Sequence, residues 1–199
     1  MPVISGFSDF FLKQPSFMTM KKQILIISTS PRRGGNSDRL ADEFARGAGE
    51  AGHRVEKINL ADRRIAFCRG CLACQQTGQC VIHDDAVEIT RLMGQADVIV
   101  WATPVYYYSI SGQMKTMIDR ANSLFASDYR FRDVYLLASA AETGHAVVEG
   151  AETAVRGWVA CFEQTRLAGV ILADGVTERG EVEGHAALAE AYRMGKNVE

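Results

Sequence analysis

Five short strand-like segments separated by stretches of helical period constrain this chain more than any other feature. Gln23 to Ser28 (QILIIS) and Asp97 to Ala102 (DVIVWA) are continuous apolar runs, as in strands covered on both faces. Val55 to Leu60 alternates like an outer strand, and Val134 to Ser139 and Leu167 to Ala173 complete the set. Between them, Asn36 to Ala51 has helical spacing, with Leu40, Ala41, Phe44, Ala45 and Ala48 on one side. Asn36 or Ser37 can cap its start and Gly52 suits its exit. Asp84 or Asp85 can cap a second helix that runs to about Gly94. Further helices are expected over 111–125, 147–162 and 183–194. Strands alternating with helices predict a doubly wound, five-stranded parallel sheet with helices on both faces. Such a sheet binds its ligand at the carboxyl ends of the strands, where strand order reverses. The functional residues are therefore expected just after strands one, three and four.

Composition excludes several classes. Of 199 residues, 47% are hydrophobic and 23% charged, the balance of a chain that can build a core. A net charge of -2 argues against a nucleic-acid partner or a membrane surface, both of which call for a basic face. No apolar run approaches the roughly 18 residues of a membrane span. Residues 1–20 read as an N-terminal tail and 21–199 as the domain. The tail is either an over-long translation start or an arm that packs on a partner subunit. It has no basic region or cleavage site of a secretory signal, so a cytoplasmic location with reduced thiols is expected.

Three loops carry the chemistry. After strand one, Ser28 to Ser37 (STSPRRGGNS) combines hydroxyls, two arginines, two glycines and a helix start. Backbone N–H groups freed by glycine, together with a helix N-terminus, favour an anion. Neither G-x-G-x-x-G nor the Walker pattern is present, so one terminal phosphate fits better than a dinucleotide or a nucleoside triphosphate. An ordinary strand-to-helix turn with solvated arginines is the alternative. After strand three, three consecutive tyrosines (Tyr106, Tyr107, Tyr108) can wall a flat aromatic ligand or form a subunit contact. After strand four, the small residues from Ser139 to Ala141 let a ligand approach the backbone, and His145 alone says little about catalysis.

Taken together, STSPRRGGNS, FCRGCLACQQTGQCVIHDD and ATPVYYYSISGQMKTMIDR resemble the flavodoxin-like NADPH-dependent FMN reductases, in the branch related to iron–sulfur flavoproteins. The resemblance implies a flavodoxin-like fold with strand order 2-1-3-4-5. It implies that Ser30, Arg32, Asn36 and Ser37 bind the FMN phosphate. Pro104, Val105, Tyr106 and Tyr107 would hold the isoalloxazine, and Ser139, Ala140, Ala141 and Glu142 would close over it. Thr29 and Tyr108 stand where relatives often carry glycine, and a tyrosine at the second position can narrow access to the flavin or reach a neighbouring subunit.

The resemblance further implies an FMN-dependent NAD(P)H oxidoreductase. It would pass electrons from a nicotinamide to a small-molecule acceptor such as a quinone, nitro or azo compound, flavin or metal. No side chain need act as acid or base, because the flavin carries the chemistry. A homodimer or homotetramer is expected. Cys68, Cys71, Cys74 and Cys80, spaced C-x2-C-x2-C-x5-C, resemble the compact [4Fe–4S] motif of archaeal iron–sulfur flavoproteins. Cluster-free relatives share the segment, so the alternatives are an iron–sulfur electron carrier and a non-catalytic flavin-binding module. Cys161 is read as a small packing residue within a helix.

Overall fold

A computed structural model describes residues 20–199, so the expected tail, apart from Met20, lies outside the described residues. Five strands form one parallel sheet: β1 (Gln23–Ser28), β2 (Arg54–Asn59), β3 (Val98–Pro104), β4 (Asp133–Ser139) and β5 (Arg166–Ala173). Their order is β2-β1-β3-β4-β5, as expected, with Ser28 paired to Asn59 on one side and to Ala102 on the other. The chain leaves β1 in one direction and β3 in the other. The switch point therefore falls between the carboxyl ends of these two strands.

Alternate residues of the central strands enter two cores. Ile24, Ile26, Val98 and Val100 face helix α1 (Asn36–Glu50) and helix α6 (Ala186–Lys196), where they meet Leu40, Phe44, Ala187 and Ala191. Leu25, Ile27, Ile99 and Trp101 face α3 (Asp85–Gln95), α4 (Gly112–Arg120) and α5 (Glu149–Val159), where they meet Ile89, Met114, Met117 and Val155. A strand apolar on both sides is what a sheet covered on both faces requires. A short helix, α2 (Ala73–Thr77), lies inside the cysteine segment. None of the helices among the described residues is long and apolar enough to cross a membrane.

Several helix limits differ from expectation. Gly35, not Asn36 or Ser37, occupies the N-cap of α1, and no side chain caps that helix. Gly52 leaves the helix with a φ of +91°, which glycine adopts without strain. The expected helix over 111–125 stops at Arg120 and continues as a 3-10 turn over Asn122–Ala126. The apolar spacing persists across this break, so periodicity alone does not mark it. The helix expected over 147–162 begins as a 3-10 turn at His145–Val147 and ends at Val159. The last helix starts at Ala186, three residues later than expected. Asp84 caps α3, its side chain accepting from Ala86 N–H.

Candidate functional site

The loop between β1 and α1 is held by its own side chains. Ser30 Oγ donates to Arg32 O at 2.9 Å and accepts from Arg32 N–H at 3.2 Å, a local turn closed by a hydroxyl. Gly34 has a φ of +62°, and its N–H donates to Asp38 Oδ2 at 2.8 Å. A Cβ at Gly35 would stand 2.9 Å from both Arg32 O and Ser30 Oγ, so the backbone there admits no side chain. Asp38 is buried, and Lys57 Nζ lies 2.7 Å from its Oδ1. Burial pushes the Asp38 carboxyl up, but hydrogen bonds from Lys57 and Gly34 N–H hold it below its ordinary value. The carboxylate at the loop is thus already neutralised by Lys57.

A cleft of about 170 Å³ opens at this loop, lined by Ser30, Arg32, Asn36 and Ser37 and, from the segment after β5, by Thr177 and Arg179. Ser37 Oγ is buried and has no partner. The first turn of α1 has no side-chain cap, and the positive end of its dipole points into the same space. An orphaned hydroxyl, an uncapped helix start and two arginines together fit a phosphate. Asn36 also holds the fold together. Its Nδ2 donates to Glu178 O at 3.0 Å and its Oδ1 accepts from Val182 N–H at 3.4 Å. Arg32 Nη1 likewise donates to Thr177 O at 3.2 Å. Both side chains pin the segment after β5 against the loop. Nothing in the sequence marks Thr177 and Arg179 for this cleft, because they reach it only once β5 lies at the sheet edge and its exit crosses to α1.

The second wall is the loop after β3. Pro104, Val105 and Tyr106 line the same cleft, while Val105, Tyr106, Tyr107 and Tyr108 line an adjoining cleft of about 290 Å³. Ala140, Ala141 and Glu142 form the facing side of that cleft, and Ser139 lines the first cleft. The two spaces share Val105, Tyr106 and Ala141, so they form one groove with a polar end and an apolar end. Every expected phosphate and ring residue therefore lies on this groove. Val105 N–H donates to Ser139 O at 2.8 Å, which joins the two walls at their base.

Three buried hydroxyls lock the loops to one another beneath the groove. Ser111 Oγ caps α4 and donates to Thr29 Oγ1 at 3.0 Å. Thr103 Oγ1 accepts from Ser111 N–H at 3.1 Å. Thr29 Oγ1 donates to Ala102 O at 3.1 Å. Thr29, a departure from the family pattern, is thus fully buried and ties β1 to the start of α4. His145 is exposed and lies outside the groove lining.

The cysteine segment forms a separate site. Cys68, Cys71, Cys74 and Cys80 line a cleft of about 470 Å³ bounded by α4, the 3-10 turn after it and the end of α5. All four thiols are free, and among the described residues no three His, Cys, Asp or Glu side chains converge on a common metal position. As arranged, the thiols surround a cleft without forming a closed ligand set. Cys161 corrects the expectation of a packing residue. It is exposed, stands just beyond the end of α5, and lines this same cleft. The helix stops two residues before it, which turns its thiol out of the core.

Comparisons with known proteins agree with this architecture. The family model for NADPH-dependent FMN reductase matches residues 22–173. An iron–sulfur flavoprotein of Archaeoglobus fulgidus is 40% identical over 91 residues, covering 46% of this chain and 41% of that protein. The chain spans about half the length of the curated iron–sulfur flavoproteins it matches. A Bacillus subtilis protein named provisionally as an NAD(P)H-dependent FMN-containing oxidoreductase is 27% identical, covering 86% of this chain and 96% of its own. Among solved structures, an NAD(P)H:quinone oxidoreductase from Methanothermobacter marburgensis superposes with a TM-score of 0.71 at 20% identity, over 90% of this chain and 96% of that one. At that identity the likeness concerns the fold.

Proposed function

The chain belongs to the NADPH-dependent FMN reductase family, and we propose that it is an FMN-dependent NAD(P)H oxidoreductase serving a small-molecule acceptor. The observation that carries this reading is the groove itself. Its polar end offers the unpartnered Ser37 Oγ, the uncapped start of α1 and the arginines Arg32 and Arg179. Its apolar end offers Val105, Ala140, Ala141 and the tyrosines. A phosphate joined by a short chain to a flat ring matches both ends.

Bound FMN would supply the hydride- and electron-transfer chemistry. The chain's residues then act in three ways. Ser37, Arg32, Arg179 and the α1 backbone hold the phosphate dianion. Val105, Ala140 and Ala141 give the ring a small, dry seat. Tyr106 and Tyr107 shield one side of it from water. The five free cysteines support the reducing cytoplasm as its location.

Calorimetry with FMN, FAD and riboflavin tests the groove. FMN should bind most tightly, and equal or tighter FAD binding would count against the single-phosphate end. Anaerobic addition of NADPH should then bleach the bound flavin rapidly.

A second reading is an iron–sulfur flavoprotein that carries electrons. One observation favours it: four cysteines in the family's spacing line one cleft. The cluster-free reductase differs from it in needing no iron at these thiols. Iron analysis of protein purified without air separates the two.

A further inference from the structure

Tyr107 and Tyr108 both have positive φ, 48° and 59°. Two consecutive tyrosines in the left-handed region are strained, since their Cβ atoms crowd the backbone where glycine would not. Burial does not offset this strain. Tyr107 is 101% exposed and Tyr108 53%. The turn is instead held by its own closing hydrogen bonds and by a buttress from α5. Tyr106 and Ser109 exchange N–H···O=C bonds at 3.0 and 3.1 Å. Gly150 at the start of α5 admits the Tyr108 carbonyl so closely that a Cβ there would stand 2.1 Å from its oxygen.

The strained turn aims one side chain across the groove. Tyr108 Oη donates to Glu142 Oε2 at 2.8 Å. Glu142 belongs to the opposite wall, where its carbonyl accepts from Gly175 N–H at 3.2 Å. The hydrogen bond to Glu142 raises the Tyr108 pKa and so keeps the hydroxyl a donor. Beneath the bridge lies the apolar end of the groove, with Val105, Ala140, Ala141 and Val147. The bridge is solvent-exposed. A bond of that kind stabilises a fold little, so it can open and close readily.

We propose that the Tyr108–Glu142 bridge selects the electron acceptor. It admits flat, narrow molecules such as one-ring quinones to the ring end of the groove and turns away bulky or non-planar ones. The inference rests on the flavin reading of the groove. Strain, an external buttress and a cross-groove contact at an exposed position serve access; none of them serves the core.

The test uses the full chain, with Tyr108→Phe and Glu142→Ala as bridge-breaking variants and Glu142→Gln as the variant that keeps an acceptor oxygen. FMN binding is followed by stopped flow, and turnover is measured with p-benzoquinone and with a bulky indophenol dye. Breaking the bridge should raise the kcat/KM ratio of dye to benzoquinone by about fivefold. It should also raise the FMN on- and off-rates together by about threefold. Glu142→Gln should stay nearer the unaltered protein than Glu142→Ala on both readouts. If FMN binds but neither the acceptor ratio nor the FMN rates move, or all acceptors gain equally, the bridge has no selective role. If the unaltered chain fails to bind FMN, the flavin reading falls and the bridge falls with it.

Discussion

Arg120, at the end of α4, donates to both carboxylate oxygens of Asp84, at 2.6 and 2.8 Å. The same guanidinium donates to Ala66 O at 2.7 Å and to Ile82 O at 2.9 Å. Ala66 and Ile82 stand at the two ends of the cysteine segment. One buried side chain thus clasps the base of the loop that carries Cys68, Cys71, Cys74 and Cys80. Because α4 begins just after Ser111, under the tyrosine turn, the clasp also places the cysteine cleft and the groove at opposite ends of one short helix.

Replacing Arg120 by Met keeps the apolar stem and removes four hydrogen bonds. Asp84, 14% exposed at its side chain, then loses its charged partner. A loss of about 3 kcal/mol is expected in urea unfolding, the scale for breaking a buried pair on one side. A loss below about 1 kcal/mol would mean that water replaces the guanidinium without difficulty.

Asp84 also makes stability depend on pH. Burial pushes its carboxyl up, but the bonds from Arg120, Ala66 N–H and Ala86 N–H outweigh that and bring it below the ordinary value. A carboxyl depressed in the folded state binds its proton more readily when unfolded. Its contribution is therefore present above the ordinary carboxylate range and is lost as pH falls below about 4, through the depressed folded value. Urea midpoints between about pH 7 and pH 3 should fall less steeply for Asp84→Asn than for the unaltered chain. Identical slopes would remove Asp84 from the acid response.

Helices α1 and α6 offer a sharper steric test. A Cβ at Gly47 would stand 2.0 Å from Tyr192 O, and one at Gly195 would stand 2.1 Å from Phe44 O. Gly47→Ala should destabilise by about 2–3 kcal/mol, because backbone cannot yield as a side chain can. Gly49→Ala, in the same helix with nothing within 4 Å, should stabilise by up to about 1 kcal/mol. Thermal unfolding of the two variants should move in opposite directions.

The strands are legible in the sequence because a sheet buried on both faces demands apolar runs, and the run from Gln23 to Ser28 coincides with β1. The groove is legible for the same reason: the switch point follows from strand order, and the residues after β1, β3 and β4 have to meet there. What the sequence hides depends on three-dimensional register. Thr29, Thr103 and Ser111 form one hydroxyl tie only because Ser28 pairs with Ala102. Asn36 has the residue type of a cap yet spends its amide on the segment after β5, while glycine takes the cap. Arg179 lies in a loop with no period to read. Cys161 falls in the core only if the helical period is extended past Val159, where α5 stops.

The phosphate end can be tested residue by residue. Arg32→Ala should weaken FMN binding by about 1.5–3 kcal/mol, the scale of a hydrogen bond to a charged group. Riboflavin, which lacks the phosphate, should be little affected. Arg32 also pins Thr177, so Ser37→Ala provides a cleaner companion, since its hydroxyl has no protein partner to lose. Equal losses for FMN and riboflavin in both variants would assign these residues to holding the loop and not to the phosphate.

The cysteine cleft separates the two functional readings most directly. If the four thiols hold a [4Fe–4S] cluster, protein never exposed to air should carry about four irons per chain. Cys71→Ser should then abolish iron and the broad absorbance that accompanies it, while FMN binding survives because its groove lies at the other end of α4. If the chain is a cluster-free reductase, the same substitution should leave spectrum and NAD(P)H oxidation nearly intact. Cys161 sharpens the comparison, because it lines the cleft from beyond α5 and lies outside the C-x2-C-x2-C-x5-C spacing. Cys161→Ser should leave the iron content unchanged under either reading, and iron lost on that substitution would show a ligand set different from the one the spacing implies.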